Sequence, residues 1–369
     1  MSAHAIDLTT ALPPAPPELD RGLQSALAAL ASGANLGALI RHNRPGGHAA
    51  DREVGASWVG RRLGPDLDSA RVIVTNGTQS ALLLMLQHYV GAGGLIAAEA
   101  LTYVVLQTLA ARLGIEIAGV ALDEHGLVPA AYERLCRERR PRALYCNPTI
   151  QNPTTSVMPP ARRAEIAAIS RQYNVLIIED DVLGAVHPEA PAPLAMFAPE
   201  RTWHVTSLSK CFAMGLRMAY LVAPSATAAT ELVDPVRRLS WWFPSSLSAE
   251  IVARWVADGT GRQIAAAIRA EADARQAIAA DQLATTLPAG AQMATAPGAL
   301  HLWLSLPAMW SRQEFTAAAA KQGVLVRPAN LFAVDATPAP ESIRISLTGP
   351  RTRDELRAGL AIVAQLLEP

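Results

Sequence analysis

The segment Thr206-Ser207-Leu208-Ser209-Lys210 contains one of only two lysines in a chain that has 32 basic Lys and Arg residues. Arginine stays protonated in proteins, whereas a lysine whose surroundings lower its pKa can act as an amine nucleophile. Lys321 has an ordinary structural explanation, because it ends an amphipathic helix before Gly323, where a cation is favoured. Lys210 instead follows a short apolar strand and two serines. This position suits a lysine that holds a phosphorylated aldehyde as a Schiff base.

The composition is that of a folded cytoplasmic protein. The chain has 369 residues, of which half are hydrophobic and 17% are charged, and its formal net charge is zero. It can therefore bury a large core, and it offers no basic surface for nucleic acid. No apolar run is long enough to span a membrane, and the first residues, Met1 to Asp7, lack the features of a signal peptide. The three cysteines (Cys136, Cys146 and Cys211) have no metal-binding spacing, which indicates reduced thiols and no metal site.

Short apolar runs alternate with helical patterns between residues 71 and 222. The predicted strands are Val72–Thr75, Leu95–Ala98, Glu116–Val120, Ala143–Cys146, Val175–Ile178, Trp203–Thr206 and Met218–Val222. Buried strands separated by helices are typical of a mostly parallel α/β sheet, and functional groups collect at the carboxyl ends of such strands. Thr78, Asn152, Asp180 and Lys210 each follow one of these strands. We therefore expect them to meet at one edge of the sheet.

The pattern changes on either side of this region. Residues 1–45 form a proline-rich arm and a helix, residues 46–244 the large domain, and residues 245–369 a smaller α+β domain. Within the last region the sequence predicts a long helical stretch from Ser245 to about Leu287, broken near Gly259. It also predicts strands at Leu300–Leu304 and Ser342–Ser346 and a closing helix over Arg353–Leu367.

Five groups of polar residues follow one another along the chain. They are Gly77-Thr78-Gln79, Gln151-Asn152-Pro153-Thr154, Glu179-Asp180-Asp181, Ser207 to Lys210 with Arg217, and Ile343-Arg344-Ile345. The first opens a helix, where free N–H groups and the helix dipole favour a phosphate, although alone it is equally an Asn-Gly turn with Thr78 as the N-cap. Arg217 lies between apolar neighbours and can make a forked contact to a phosphate.

In this order and spacing the motifs resemble the class I/II aminotransferases of the type I pyridoxal-phosphate fold. The chain is most similar to the 2-aminoadipate/kynurenine aminotransferase branch and to the aminotransferase half of GntR/MocR-type regulators, without their DNA-binding domain. The resemblance covers residues 6–367. It implies a large domain with a mostly parallel seven-stranded sheet, a smaller α+β domain, and pyridoxal 5′-phosphate as the cofactor.

The resemblance also implies a role for each motif residue. Phosphate ligands would come from Gly77, Thr78, Gln79, Ser207, Ser209 and Arg217, with His42 reaching the phosphate of the neighbouring subunit. Tyr103 would stack on the cofactor ring, Asn152 would donate to its phenolic oxygen, and Asp180 would keep a proton on its ring nitrogen. Arg344, together with Asn152, would bind the substrate α-carboxylate. Lys210 would carry the cofactor as an imine and then move the substrate Cα proton.

Four positions depart from the family pattern. One is His42, which stands where the family has a tyrosine that reaches the phosphate of the neighbouring subunit. Leu183 replaces a tyrosine that donates to the phenolic oxygen, Thr155 replaces the glycine of Asn-Pro-Thr-Gly, and Met214 replaces a proline before the phosphate arginine. These changes leave the fold and cofactor expectation intact but weaken the case for ordinary transamination.

The function expected from this resemblance is transfer of an amino group from an L-amino acid to a 2-oxo acid by a homodimeric enzyme. One alternative keeps the fold and cofactor but changes the outcome to elimination, replacement, racemisation or decarboxylation, since residues of the outer pocket decide among these. Another is a ligand-sensing protein without turnover. The substrate side chain stays open. Trp241, Trp242 and Phe243 could line the pocket, but a position in the core or at an interface is expected more for such residues.

Overall fold

A computed structural model describes residues 5–33, 36–187, 189–283, 287–334 and 338–368. Two short parts of the predicted features lie outside these ranges. They are residues 1–4, at the start of the stretch that lacks signal-peptide features, and residues 284–286 of the expected long helical stretch. In the described part of the chain no helix is long and apolar enough to cross a membrane.

All seven predicted strands form one sheet. They are β1 (Val72–Thr75), β2 (Leu95–Glu99), β3 (Glu116–Val120), β4 (Ala143–Cys146), β5 (Leu176–Asp180), β6 (Thr202–Ser207) and β7 (Ala219–Val222). Their spatial order is β1-β7-β6-β5-β4-β2-β3, and only β7 runs against its neighbours. This confirms the mostly parallel seven-stranded sheet. Six of the strands are almost completely buried because helices cover both sides, whereas the edge strand β3 is partly exposed.

Nine helices lie between and around these strands in the described part of the chain. They are α1 (Pro17–Ala31), α2 (Leu36–Arg41), α3 (Ala49–Leu63), α4 (Thr78–Met85), α5 (Val104–Leu113), α6 (Pro129–Arg139), α7 (Pro160–Gln172), α8 (Leu194–Phe197) and α9 (Ala226–Val233). A π turn over Leu86–Val90 continues α4. Several helices open with proline, which a first turn tolerates because its N–H groups have no helical partner.

The C-terminal region has a separate antiparallel sheet with its own core. Its strands are β8 (Gln292–Ala294), β9 (His301–Ser305), β10 (Arg327–Pro328) and β11 (Ser342–Ser346), in the order β8-β9-β11-β10. Its helices are α10 (Ser246–Ala257), α11 (Thr260–Leu283), α12 (Arg312–Lys321) and α13 (Arg353–Leu367). The closing helix has the predicted limits, and the predicted long helical stretch breaks near Gly259 as expected, which divides it into α10 and α11. The division into three regions, with its two boundaries, remains a prediction.

The N-terminal arm packs on this second sheet. Ile6–Asp7 pairs in parallel with Val324–Leu325, and the main-chain N–H of Ser346 donates to the oxygen of Leu8 at 2.7 Å. Leu8 is completely buried in the core of the C-terminal region. Residues 9–11 are therefore held at the edge of β11, facing the carboxyl ends of the large sheet.

Candidate active site

A cavity of about 340 Å³ lies between the carboxyl ends of the large sheet and the second sheet. Parallel strands place their carboxyl ends together, so the loops after β1, β2, β4, β5 and β6 all reach this cavity. The predicted site residues that line it are Thr78, Tyr103, Asn152, Asp180, Ser209, Lys210 and Arg344. Residues separated by as many as 266 positions in the sequence thus face one space.

Asp180 ends β5 and presents one oxygen without a partner. Its Oδ2 accepts a hydrogen bond from the hydroxyl of Tyr145 at 2.7 Å, while Oδ1 is buried and has no partner among the described residues. Burial raises the pKa of Asp180 to about 7, and the Tyr145 hydrogen bond opposes that rise. A buried carboxylate oxygen without a hydrogen bond destabilises the folded protein. Its presence at a cavity therefore indicates a ligand that donates a hydrogen bond to it.

Asp181 points away from the cavity, as expected from its neighbouring position on a strand. Its Oδ2 accepts from Nε of Arg62 at 3.0 Å, and Nε2 of His204 lies 3.7 Å from the same oxygen. The two adjacent aspartates therefore have different roles: one faces the cavity and the other joins a buried ion pair.

Lys210 extends into the cavity from the turn after β6. Its Nζ donates to the main-chain oxygen of Ala11 in the N-terminal arm. Burial and the nearby charge of Arg344 lower the pKa of Lys210 to about 8, although Asp180 opposes this shift. The uncharged amine, which is the form that attacks a carbonyl, is consequently more abundant near neutral pH than it is for an ordinary lysine.

Arg344 lies on β11, an interior strand of the second sheet, and is not an exposed edge residue. Its Nη1 donates to Oδ1 of Asn152 at 2.8 Å, and its Nη2 donates to the main-chain oxygen of Thr9 at 2.5 Å. Its Nε is buried without a partner among the described residues, and its guanidinium lies 5.0 Å from the ring centroid of Phe332. Burial and the charge of Arg327 lower the pKa of Arg344 to about 10, so the guanidinium remains charged at neutral pH.

A buried network holds Asn152 in place. The main-chain N–H of Asn152 donates to Oδ1 of Asn147 at 3.0 Å, and Oε2 of Glu99 accepts from Asn147 N at 3.2 Å and from Gln151 Nε2 at 3.1 Å. Asn147 also donates to the main-chain oxygen of Asp180. Burial raises the pKa of Glu99 to about 7. The network therefore fixes Asn152 relative to both Asp180 and Arg344.

The predicted phosphate ligands cluster beside the cavity. Gly77, with φ of 82°, is the N-cap of α4, and no side chain caps this helix, so Thr78 is not the N-cap. Arg217 turns back toward this helix start, with Nη2 3.5 Å from the main-chain oxygen of Asn76. The hydroxyls of Ser207 and Ser209 are 2.7 Å apart. An uncapped helix start beside an arginine and two hydroxyls has the donors that a phosphate dianion requires.

Four of the predicted phosphate ligands are not among the residues that line the cavity. Gly77, Gln79, Ser207 and Arg217 do not border the cavity themselves but lie next to residues that do, and Nε2 of Gln79 donates to the hydroxyl of Tyr103 at 3.3 Å. His42 lies apart, exposed on the surface after α2, where its main-chain oxygen accepts from Oγ of Ser246. A single chain does not bring His42 to the site.

Two of the departures from the family pattern lie at the cavity, and a third lies apart from it. Leu183 and Met214 line it, so an apolar side chain lies where the family pattern has a phenol. Thr155 has a φ of 64°, in the left-handed region that a glycine occupies without strain and a β-branched residue rarely adopts. The backbone at this position therefore keeps a glycine-like conformation without the glycine. Of Trp241, Trp242 and Phe243, none borders the cavity, and Trp242 is completely buried.

Sequence reasoning missed several lining residues. They are Thr9, Thr10, Ala11, Tyr145, Asn147, Leu300, His301, Arg327 and Phe332. The N-terminal arm contacts the site residues through main-chain oxygens. Every residue type carries such an oxygen, so the sequence does not indicate these contacts. Arg327 and His301 reach the cavity only through the register of the second sheet. Tyr145 had a partial signal in the sequence, because a tyrosine inside a buried strand needs a hydrogen-bond partner for its hydroxyl. No metal-binding cluster of His, Cys, Asp or Glu occurs within the described ranges.

Comparison with solved structures shows the type I fold of the pyridoxal-phosphate transferases. The chain superposes with a TM-score of 0.88 and 21% identity on kynurenine aminotransferase of Pyrococcus horikoshii, solved with PMP, covering 99% of this chain and 91% of the other. For LysN, the α-aminoadipate aminotransferase of Thermus thermophilus solved with N-(5′-phosphopyridoxyl)-L-leucine, the TM-score is 0.87 and the identity 22%. That match covers 98% of this chain and 92% of LysN.

Sequence comparison gives the family. Residues 22–361 match the family of class I and II aminotransferases, and the chain therefore belongs to that family. It is also 30% identical over 311 residues to YdeF, an uncharacterised HTH-type transcriptional regulator of Bacillus subtilis. This match covers 84% of the chain and 65% of the regulator, so the chain spans less than two thirds of the length of that relative.

The site fits the cofactor that this family membership indicates, pyridoxal 5′-phosphate. The free Oδ1 of Asp180 is an acceptor for a protonated ring nitrogen, and Lys210 supplies an amine for the aldehyde. The uncapped start of α4, with Arg217 and the two serines, supplies phosphate donors. The ring nitrogen, the aldehyde and the phosphate of the cofactor thus each have a matching group in this chain.

Proposed function

We propose that this chain is an aminotransferase that moves an amino group from an L-amino acid to a 2-oxo acid. The observation that supports it best is that Lys210, Asp180 and Arg344 face one cavity. These three groups are an amine, a carboxylate with a free oxygen and a buried guanidinium. Together they can anchor the cofactor, hold the proton on its ring nitrogen and bind the substrate carboxylate.

Arg344 binds and orients the substrate in this proposal. Its buried guanidinium forms charge-assisted hydrogen bonds to the α-carboxylate, beside the amide of Asn152. Fixing the carboxylate restricts rotation of the substrate, so that its Cα–H bond can be aligned for proton removal.

Lys210 provides the amine that anchors the cofactor and, when released, moves the proton from the substrate Cα. Its lowered pKa, about 8, makes the neutral amine available for both tasks near neutral pH. Pyridoxal phosphate, when bound, supplies an aldehyde that condenses with amines and a ring that withdraws electrons. Asp180 keeps the proton on the ring nitrogen, while Gly77, Thr78, Gln79, Ser207, Ser209 and Arg217 hold the phosphate. Tyr103 covers the ring.

We further infer that the protein acts as a homodimer to which His42 contributes across the interface. Helix α2, which precedes His42, has no buried residue, and its Ile40 is 72% exposed. Leu239 and Trp241 are exposed as well. Exposed apolar side chains of this size favour burial against a second copy. Sedimentation equilibrium of wild type and an Ile40→Asp variant tests this inference; a monomeric wild-type protein would contradict it.

A ligand-sensing protein is the second candidate, because YdeF is described as a transcriptional regulator. Turnover distinguishes the two functions. Incubation of the holoprotein with single L-amino acids and a 2-oxo acid should release the corresponding 2-oxo acid in amounts far above that of protein. A change in the cofactor spectrum without product beyond one equivalent would favour the sensor, and ammonia without an acceptor would favour elimination.

The attachment site provides the direct test of the chemistry. Borohydride reduction of the holoprotein followed by peptide mass mapping should place the phosphopyridoxyl group on Lys210. Lys321 is an internal control because it is the only other lysine in the chain and lies exposed at the end of α12. Modification of Lys321 alone, or of neither lysine in fully loaded protein, would overturn the proposal.

A further inference from the structure

His301 is a buried polar residue in the wall of the cavity. It is the first residue of β9, it is 2% exposed, and it lines the cavity together with Leu300. Its Nε2 is buried and has no hydrogen-bond partner among the described residues. A buried polar atom without a partner destabilises a fold. In the wall of a cavity, such an atom indicates a ligand that supplies the missing hydrogen bond.

The register of the second sheet places His301 near the substrate-binding arginine. His301 pairs with Ser346, and two residues further along β9, Trp303 pairs with Arg344. Opposite residues on antiparallel strands share a face, as do residues two apart, so the imidazole and the guanidinium leave the sheet on the same side. The hydroxyl proton of Ser346 is not available to the ring, because it is donated to a main-chain oxygen of the N-terminal arm.

The imidazole of His301 is uncharged at neutral pH. Burial and the charges of Arg344 and Lys210 lower the pKa of His301 to about 3, while the main-chain oxygens of Gln151 and Pro153 oppose this fall. A neutral imidazole has one N–H and one lone pair. Because two main-chain oxygens act on the ring and Nε2 has no partner, we place the proton on Nδ1. Nε2 is then a hydrogen-bond acceptor.

An acceptor at this position restricts the ligand. A lone pair repels a carboxylate oxygen, and a wholly aliphatic side chain would leave Nε2 buried and unpaired. The amine of Lys210 and that of the substrate are both engaged by the cofactor in the proposed function. The remaining source of a donor is the substrate side chain. The rest of that side chain meets an apolar wall, which includes Val104, Val105, Leu300 and Phe332.

Resting on the aminotransferase function above, we propose that His301 is a specificity-determining residue whose Nε2 accepts a hydrogen bond from an uncharged donor on the substrate side chain. The substrate class is L-amino acids, with their 2-oxo acids, whose side chain has an apolar body and carries a hydroxyl or an amide. A site built to satisfy a hydrogen bond discriminates against the analogue that lacks the donor, because the buried group is then left unpaired.

Unreactive carboxylates test this proposal without requiring turnover. One pair of probes is para-hydroxyphenylpropionate and phenylpropionate; the other is glutaramate and its apolar isostere 5-methylhexanoate. Titrated calorimetrically into the wild-type holoprotein, the member with the donor should bind roughly tenfold more tightly in at least one pair, because it satisfies a buried acceptor. Equal or weaker binding of the donor-bearing member in both pairs would overturn the proposal, and this comparison requires no variant.

Two variants assign the preference to His301. His301→Phe keeps a ring but removes the acceptor, and should abolish the roughly tenfold preference. His301→Gln supplies a carbonyl oxygen as an acceptor and should retain most of it. His88→Phe, the same substitution at an exposed position outside the cavity lining, is the control and should leave all affinities unchanged. An equal loss for both members of a pair in His301→Phe would mean that the ring only shapes the wall, and would overturn the assignment.

The pH dependence gives a second readout. The preference within a pair should stay constant between about pH 5 and pH 8, because His301 does not gain a proton in this range. The titration of Lys210 and Asp180 affects both members of a pair alike, so it does not change their ratio. A preference that disappears on acidification near the ordinary histidine pKa would overturn the proposal. Failure of the aminotransferase function would instead appear in the Lys210 mapping and in the turnover assay, neither of which involves these ligands.

Discussion

The hydroxyl of Tyr145 lies 2.7 Å from Oδ2 of Asp180 and leaves Oδ1 of the same carboxyl free for a ligand. Both residues are buried, at the ends of neighbouring parallel strands. Because a hydrogen bond to the charged form favours that form, Tyr145 counteracts the effect of burial on the Asp180 pKa. The tyrosine thus positions a carboxylate and also helps to keep it ionised.

Tyr145→Phe should lower kcat/KM by roughly tenfold, since a hydrogen bond to a charged group contributes about 1.5 kcal/mol or more. The acidic limb of the pH profile should move to higher pH, because the Asp180 pKa rises without the hydroxyl. Other ionisable groups also act on Asp180 through space, and the variant leaves them in place: Asp181, His204, Glu179, Lys210, Glu99 and Tyr103. Tyr132→Phe is the matched control, because Tyr132 is equally buried but bonds Ser170 away from the cavity. An unchanged pH profile in Tyr145→Phe would argue against this role.

Asp180 should make the cofactor-free protein less stable as the pH rises. The carboxyl titrates near 3.8 in the unfolded chain and near 7 in the fold, so the folded state binds more protons between these values and loses stability as the pH rises through this window. Asp180→Asn should remove that loss, which amounts to about 2–3 kcal/mol between pH 5 and pH 8. Urea unfolding at the two pH values measures it. Asp234→Asn, at an exposed surface pair, should not change the pH dependence.

Leu183→Tyr should lower the pH midpoint of the visible cofactor band by about one unit, because a phenol at this position can donate to the cofactor's phenolic oxygen and stabilise its ionised form. Leu183 is buried and lines the cavity, so a side chain here reaches the ligand. Spectroscopic pH titration of the holoprotein measures the midpoint. Leu183→Phe supplies the ring without the hydroxyl; if it shifts the midpoint equally, hydrogen bonding is not the cause.

Arg62→Gln should destabilise the fold by about 3 kcal/mol, because it leaves the buried carboxylate of Asp181 without its main partner. Arg62 also donates to the main-chain oxygens of Ala190 and Pro191 at 3.1 and 3.2 Å. Thermal or urea unfolding gives the change. Arg237→Gln breaks an exposed ion pair with Asp234 and should cost less than about 1 kcal/mol. Equal losses in the two variants would mean that the burial of the Arg62 pair does not matter.

The large sheet was predictable because its strands are continuous apolar runs that differ clearly from the flanking helices. Lys210, Asp180 and Asn152 were predictable because each follows such a strand. The contribution of Thr9 and Ala11 could not be predicted, because every residue type has the same main-chain oxygen. The position of these oxygens depends on the pairing of Ile6–Asp7 with a strand more than 300 residues away. Arg327 was missed for a related reason, because only the register between β10 and β11 places it opposite Arg344.

The scarcity of lysine has a practical consequence for handling the molecule. Side-chain amines occur only at Lys210, which is enclosed in the cavity, and at Lys321, which is exposed on α12. Apart from the terminal α-amino group, an amine-reactive dye or support should therefore attach to a single surface point per chain. Lys321 does not line the cavity, so coupling at that point leaves Lys210 unmodified and attaches each chain through the same surface residue.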